Sequence, residues 1–168
     1  MEPKDFPLFS LLNGTQLKNF LADCQEVQFP ARQVFIEQGT EGDSIFFVLE
    51  GDLEVFVPLP NGREQELVTI RAPAVIGEIE ALTGETRAAS VRSQGPVHAL
   101  SMTFEDLHNR LLDGDPATLK VFFQIARVVA HRLSVMNKKL AEIGSSVSTG
   151  AVDDLRIFHE QLINDWTV

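Results

Sequence analysis

The chain has 168 residues, 44% hydrophobic and 23% charged, the balance of one soluble globular domain with a core of its own. Its formal net charge of −10 argues against binding a phosphate backbone, which draws its affinity from clustered Lys and Arg. No apolar run approaches the roughly 18 residues of a membrane span, and the N-terminus lacks the apolar stretch of a secretory signal. Cys24 is the single cysteine, so an internal disulfide is excluded and a reducing cytoplasm is the expected compartment. It reads as a small buried hydrophobe.

The first segment, "PLFSLLNGTQLKNFLADCQEVQF", reads as short helical pieces, with Thr15 as candidate N-cap and Leu17, Phe20 and Leu21 on one face. From Val34 to Arg71 the pattern turns strand-like. "VFIEQG", "SIFFVLEG", "LEVFVPLP" and "QELVTI" are short, rich in Val, Ile and Phe, and broken by Gly39, Gly42, Gly51 and Asn61-Gly62. Asn61-Gly62 is the strongest hairpin signal. Further strands are expected at "AASVRS" and "VHALSMT". Regular short strands with glycine turns predict an antiparallel jelly-roll barrel, flanked by the N-terminal helices and by a long C-terminal helix. Thr103 and Asp106 make a capping-box pattern that starts a helix. Asp115-Pro116 then opens the long helix, which should reach Gly144. The fold class is α+β. Residues 1–143 are expected to form the domain, with 144–168 as linker and tail.

The segment "IGEIEALTGETRAASVR", residues 76–92, has the parts of an anion site. Such a site, without a metal, needs inward backbone N–H groups, the positive end of a helix and a cation with fork geometry. Gly77 allows close backbone approach, a short helix over Ile79 to Thr83 supplies the helix end, and Arg87 supplies the fork. Glu78 has no use for phosphate but suits a sugar hydroxyl.

Residues 77–90 resemble the phosphate-binding cassette of cyclic-nucleotide-binding domains. The family pattern of Gly-Glu, a mixed apolar and small segment, then Arg-Ala appears as Gly77, Glu78, Ile79, Glu80, Ala81, Leu82 and then Arg87, Ala88, Ala89, Ser90. Upstream, "FIEQGTEGDSIFFVLEGDLEVFV" is similar to the family's early-strand signature, and the resemblance covers residues 7–143. It implies that Glu78 binds the ribose 2′-hydroxyl, that Arg87 binds the cyclic phosphate, and that amides near Ile79, Ala88 and Ala89 complete the cradle. Ala88 follows the cassette Arg where cGMP-selecting members tend to have Thr, so cAMP is favoured over cGMP. Val68 and Ile70 are candidates for apolar contact with the base, or else ordinary core residues. Two positions depart from the pattern: Glu80, where a small residue is usual, and Thr86, where Pro is frequent. Glu80 is expected to project to solvent. The alternative is a ligand-free domain in which Arg87 pairs with Glu78, Glu80 or Glu85.

On the long helix, Phe122, Ala126, Val129, Leu133, Met136, Leu140 and Ile143 alternate spacings of four and three, a heptad seam. Val129, Leu133, Met136 and Leu140 are the candidate homodimer interface, while Phe122 and Phe123 should pack on the barrel. The segment "AHRLSVMNKKL" also resembles the dimerisation helix of the family's transcription activators, in which polar residues meet the adenine base. Asn137 stands at that place, and its amide can both donate and accept. Those activators continue into a winged helix-turn-helix, for which residues 144–168 are too few, so no DNA binding is expected by that route. Leu155, Phe158, Leu162 and Trp166 form an apolar stripe, read either as folding back or as docking an effector protein that the sequence does not identify.

Enzyme chemistry fails on inventory. His98, His108, His131 and His159 are scattered, no metal-ligand cluster or nucleophile constellation is visible, and no cofactor is implied beyond the nucleotide ligand. The sequence thus predicts a cyclic-nucleotide-sensing regulatory module, with a ligand-free scaffold as its rival.

Overall fold

The computed structural model describes residues 1–146, which fall into two units, Met1–Ala126 and a second beginning at Arg127. The rest of the linker and the apolar stripe at Leu155, Phe158, Leu162 and Trp166 lie outside the described residues.

The first unit opens with two 3-10 turns, Pro3–Asp5 and Pro7–Phe9, and helix α1, Gly14–Leu21. The N-cap of α1 is Asn13, not Thr15. The Asn13 side chain accepts from the Gln16 amide while Gln16 reaches back to the Asn13 amide, a reciprocal box that starts the helix two residues earlier. Strands β1 (Gln25–Phe29), β2 (Val34–Ile36), β3 (Ser44–Glu50), β4 (Asp52–Pro58), β5 (Glu64–Arg71) and β6 (Ala74–Ile76) follow. Helix α2 (Glu78–Thr83) comes next, then β7 (Ser90–Ser93), β8 (Val97–Thr103), α3 (Phe104–Leu112) and α4 (Pro116–Ser146).

The strands pair into two four-stranded antiparallel sheets, β1-β8-β3-β6 and β2-β7-β4-β5, the expected jelly roll. Between them lies a core of Ile36, Val48, Leu53, Ile76, Val91, Val97 and Ala99. Strand β3 is central and its two faces serve different layers, because successive side chains point to opposite sides. Phe46 joins Phe29 and Phe35 at the barrel core, whereas Phe47 joins Phe6, Phe9 and Phe20 beneath the helices, with centroids 5.3 to 6.2 Å from its own. A strand covered on both faces reads as a continuous apolar run, as "SIFFVL" does.

The β4–β5 hairpin turns through Leu59-Pro60-Asn61-Gly62. The Gly62 amide donates to the Leu59 carbonyl at 2.9 Å, and Gly62 takes a left-handed φ of 78° that a side chain would strain. Helix α3 begins as expected, with Thr103 accepting from the Asp106 amide. Asp115 caps α4 through the amides of Ala117 and Thr118, and α4 runs two residues past Gly144. Within the first unit α4 buries Ala117, Val121 and Ile125, one face at spacings of four. Phe122 is half-buried, but Phe123 is 59% exposed and does not pack as expected, since it sits off that face. Among the described residues no helix is long and apolar enough to cross a membrane.

Candidate functional site

The cassette sits between two buried strands. Strand β6 is wholly buried against β3 and delivers the chain to Gly77, whose φ of 83° is left-handed. Gly77 is required for a second reason. A Cβ there would stand 2.5 Å from Nη1 of Arg87 and 2.9 Å from the Ser44 carbonyl, closer than real Cβ atoms approach. Gly42 is equally constrained, since its Cβ would meet Cζ and Nε of Arg87 at 2.5 Å. Two glycines from distant turns therefore make room for one guanidinium. Helix α2 leaves Gly77 and ends at Gly84, also left-handed at φ 71°.

Arg87 is 5% exposed. Its backbone is tied to the turn before β3, with its amide donating to the Thr40 carbonyl at 2.9 Å and its carbonyl accepting from the Gly39 amide at 2.8 Å. Nη2 donates to the Ser44 carbonyl at 2.7 Å, and Cζ lies 5.4 Å from the Phe104 ring centroid. Nη1 donates to Oε2 of Glu80 at 3.0 Å, and Oε1 of the same carboxylate accepts from the Ala88 amide at 3.1 Å.

Glu80 therefore does not project to solvent, contrary to the expectation from the sequence. It is 7% exposed and turned inward, because a buried guanidinium flanked by an unpaired amide draws the nearest anion. The pairing of Arg87 with Glu80 is one of the three foreseen for a ligand-free cassette, with Glu78 and Glu85 as the others. Glu78, in the first turn of α2, is 3% exposed. Gly77, Glu78, Arg87 and Ala88 are thus brought together. Ala88 is exposed, Ala89 is half-buried, and the Ile79 side chain is 44% exposed on the outer face of α2.

The candidate base contacts separate. Val68 is 46% exposed on β5, whereas Ile70, opposite Leu53, packs against the barrel core. In the second unit Asn137 is exposed on α4, Val129, Leu133 and Leu140 are half-buried, and Met136 is 57% exposed.

Space at the cassette is limited. A cavity of about 240 Å³ touches Phe35, Gly42, Phe46 and Arg87, and Glu37, Glu41 and Asp43 also line it. That is below the roughly 300 Å³ at which small-molecule pockets begin. A larger cleft of about 400 Å³ lies elsewhere, at Arg32, Glu54 and Arg92. Its Arg92 is already held by Glu54 at 2.8 Å and Glu64 at 3.0 Å, so that guanidinium is not presented to an anion. We take the smaller cavity as the relevant one because it borders Arg87. Cys24 is unsuited to nucleophilic chemistry: burial, aided by the charge of Asp23, pushes its thiol up to about 12, and its Sγ donates to the Phe20 carbonyl.

Sequence reasoning missed what Glu80 does. Its spacing gave no signal, since side chains two positions apart on a helix do not share a face, and Glu80 follows Glu78 by two.

The site is thus a buried arginine fitted between two glycine turns of a jelly roll, just after a short helix. The family model for the cyclic nucleotide-binding domain matches residues 26–113, and the chain belongs to that family, one of regulatory sensors rather than catalysts. A CRP-like cAMP-activated global transcriptional regulator from Mycobacterium tuberculosis is 29% identical over 137 residues, covering 81% of this chain and 59% of that protein. The chain thus spans less than two thirds of that relative's length. Among solved structures, a cyclic nucleotide-binding domain from Methylobacillus flagellatus KT matches with a TM-score of 0.70 at 20% identity, over 76% of this chain and 72% of that one. A regulatory subunit of a cAMP-independent protein kinase A from Trypanosoma brucei, a triple mutant bound to cAMP in its A site, matches with a TM-score of 0.64 at 19% identity, over 75% of this chain and 44% of that one. At such identities the two structures speak for the fold.

Proposed function

We propose that the chain is a cyclic-nucleotide-sensing regulatory module, with cAMP as its preferred ligand, that passes the state of its cassette to a partner protein. One observation carries this reading. The Arg87 guanidinium and the Ala88 amide converge on a single two-oxygen anion, at 3.0 and 3.1 Å, in a cradle whose glycines leave no room for side chains. Those are two of the donors the family resemblance assigns to the phosphate. Glu78, buried beside them, is the acceptor for a ribose hydroxyl, and exposed Val68 is the apolar surface for a base. Ala88 in place of Thr favours adenine over guanine.

The Trypanosoma structure bears on both readings. Its three substitutions are a glutamate to alanine, a threonine to arginine seven positions on, and a valine to alanine beside that, and the mutant carries cAMP. Glu80, Arg87 and Ala88 have the same spacing. The last two match the substituted residues, and the first matches the residue replaced.

Signalling runs through α4, whose stripe of Val129, Leu133, Met136 and Leu140 suits a parallel homodimer, with Asn137 as the contact to an adenine edge. The ligand-free scaffold remains the second reading, and the Glu80 carboxylate is the observation that favours it. Isothermal titration of the protein with cAMP and cGMP separates the two. Saturable heat with cAMP, lost in Arg87→Ala, is expected. No heat and no melting shift at millimolar concentration of either nucleotide, in the wild type or with Glu80 replaced, overturns the sensor reading.

A further inference from the structure

We propose that Glu80 is a resident anion of the cassette, a tethered competitor that sets which ligands can enter. The inference rests on the cyclic-nucleotide reading for the identity of the incoming ligand, but not for the competition itself. Each oxygen of the Glu80 carboxylate takes one donor, Arg87 Nη1 or the Ala88 amide. Nη2 of Arg87 donates to the Ser44 carbonyl. An entering phosphate that is to use both Nη1 and the Ala88 amide must therefore displace the carboxylate.

Tethering makes that displacement selective. A group held on the six-residue helix just before Arg87 competes at an effective concentration of about millimolar or above, because its return is intramolecular. A free anion of similar charge offers nothing but the same two contacts and loses to it. A nucleotide brings further contacts at Glu78 and Val68, and those must supply the difference. Glu80 thus turns a general anion cradle into one that opens only to a phosphate carried on a larger ligand. It also raises the concentration at which that ligand acts.

The displaced carboxylate has somewhere to go. Ile79, Leu82 and Thr83 of α2 are exposed, so the helix lies at the surface, and left-handed glycines bound it on both sides. A change at Gly77 or Gly84, or a rotation of the Glu80 side chain, returns the charge to water without unfolding a strand.

The test compares wild type, Glu80→Ala and Glu80→Gln by thermal melting in inorganic phosphate or sulfate, and by titration with cAMP. Wild type should show no melting shift with millimolar phosphate or sulfate. Glu80→Ala, which removes the carboxylate bonded to the buried Arg87, should melt lower in buffer and be raised by either anion. It should also bind cAMP at least about tenfold more tightly. Glu80→Gln keeps the size and one acceptor but not the charge, and should fall between. It carries the comparison if the alanine variant does not fold. Equal cAMP affinity in all variants overturns the competitor while leaving the sensor reading intact. Variants that respond to phosphate and sulfate but never to cAMP or cGMP support the competitor and sink the nucleotide reading. Variants that respond to none of these overturn both.

Discussion

Arg87 and Arg110 each draw partners from distant parts of the chain, yet they do so in opposite surroundings. Arg110, on α3, bonds Asp23 and the Asn19 carbonyl from the α1 side, and Asp115 and Thr118 from the start of α4, with its Cζ 5.4 Å from the Phe20 ring centroid. Both its carboxylates remain open to water, with side chains 45% and 25% exposed. Burial works against the Arg110 charge, but the bonds to Asp23 and Asp115 outweigh it and hold its pKa above the ordinary value. This is a knot joining three helices. Arg87 is enclosed by glycines and a strand carbonyl, and the carboxylate of Glu80 that it bonds is itself 7% exposed. Taking both charges out of water costs most of what their attraction returns, so such a pair adds little net stability. Helix packing accounts for Arg110. It does not account for Arg87, and the proposed ligand role would.

The largest effect should come from breaking that enclosed pair on one side only. Arg87→Ala leaves the Glu80 carboxylate buried without a cation and is expected to cost about 3–5 kcal/mol in denaturant unfolding. Removing Glu80 as well should restore much of the loss, giving a strong coupling in the double-mutant cycle. An Arg87→Ala cost below about 1 kcal/mol would mean that Glu80 escapes freely to solvent, and that the cradle is less closed than its distances imply.

Arg110→Ala sharpens the same comparison from the other side. It removes several charged hydrogen bonds in a water-accessible setting, with an expected cost of about 1.5–3 kcal/mol. Nucleotide affinity should be unchanged. A change in cAMP binding without a change in fold would show that the helix knot and the cassette are energetically linked, and the division between a structural and a ligand arginine would fail.

The two arginines also differ in how far the sequence discloses them. The cassette was legible because its residues are close in sequence: Gly77-Glu78 and Arg87-Ala88 are a local motif, and the strands around them announce themselves by Val, Ile and Phe between glycines. The Arg110 knot was not, since Asp23 and Asn19 lie far upstream and nothing local marks them. Strand β1 was absorbed into the helical reading because Gln25, Glu26 and Gln28 have no β preference. It is an edge strand that pairs only with β8, and only Val27 and Phe29 turn toward the core. Strand β6 has three residues, too few for a period to show. Glu80 was misplaced for another reason. On a six-residue helix the periodicity does not decide which face is wet, and the three-dimensional position of Arg87 does.

The smallest effect, and the finest test of the exposed knot, is Asp115→Asn. Asp115 has two roles: its oxygens cap α4 through the Ala117 and Thr118 amides, and its charge pairs with Arg110 at 2.8 Å. Asparagine caps nearly as well as aspartate, so the substitution isolates the charge, worth about 0.5–1 kcal/mol for a pair this accessible. The pH dependence has a definite sign. Burial alone would raise the Asp115 carboxyl, but hydrogen bonds from Thr118, Arg110 and Ala117 outweigh it and hold the pKa below 3.8. A depressed folded-state pKa contributes stability that is complete above the unfolded value and lost as pH falls through the folded one. Wild type should therefore exceed Asp115→Asn in urea midpoint near neutral pH, with the gap closing below about pH 4. A gap that persists into strong acid would assign the effect to cap geometry instead of charge, and Arg110 would then hold α4 chiefly through Thr118.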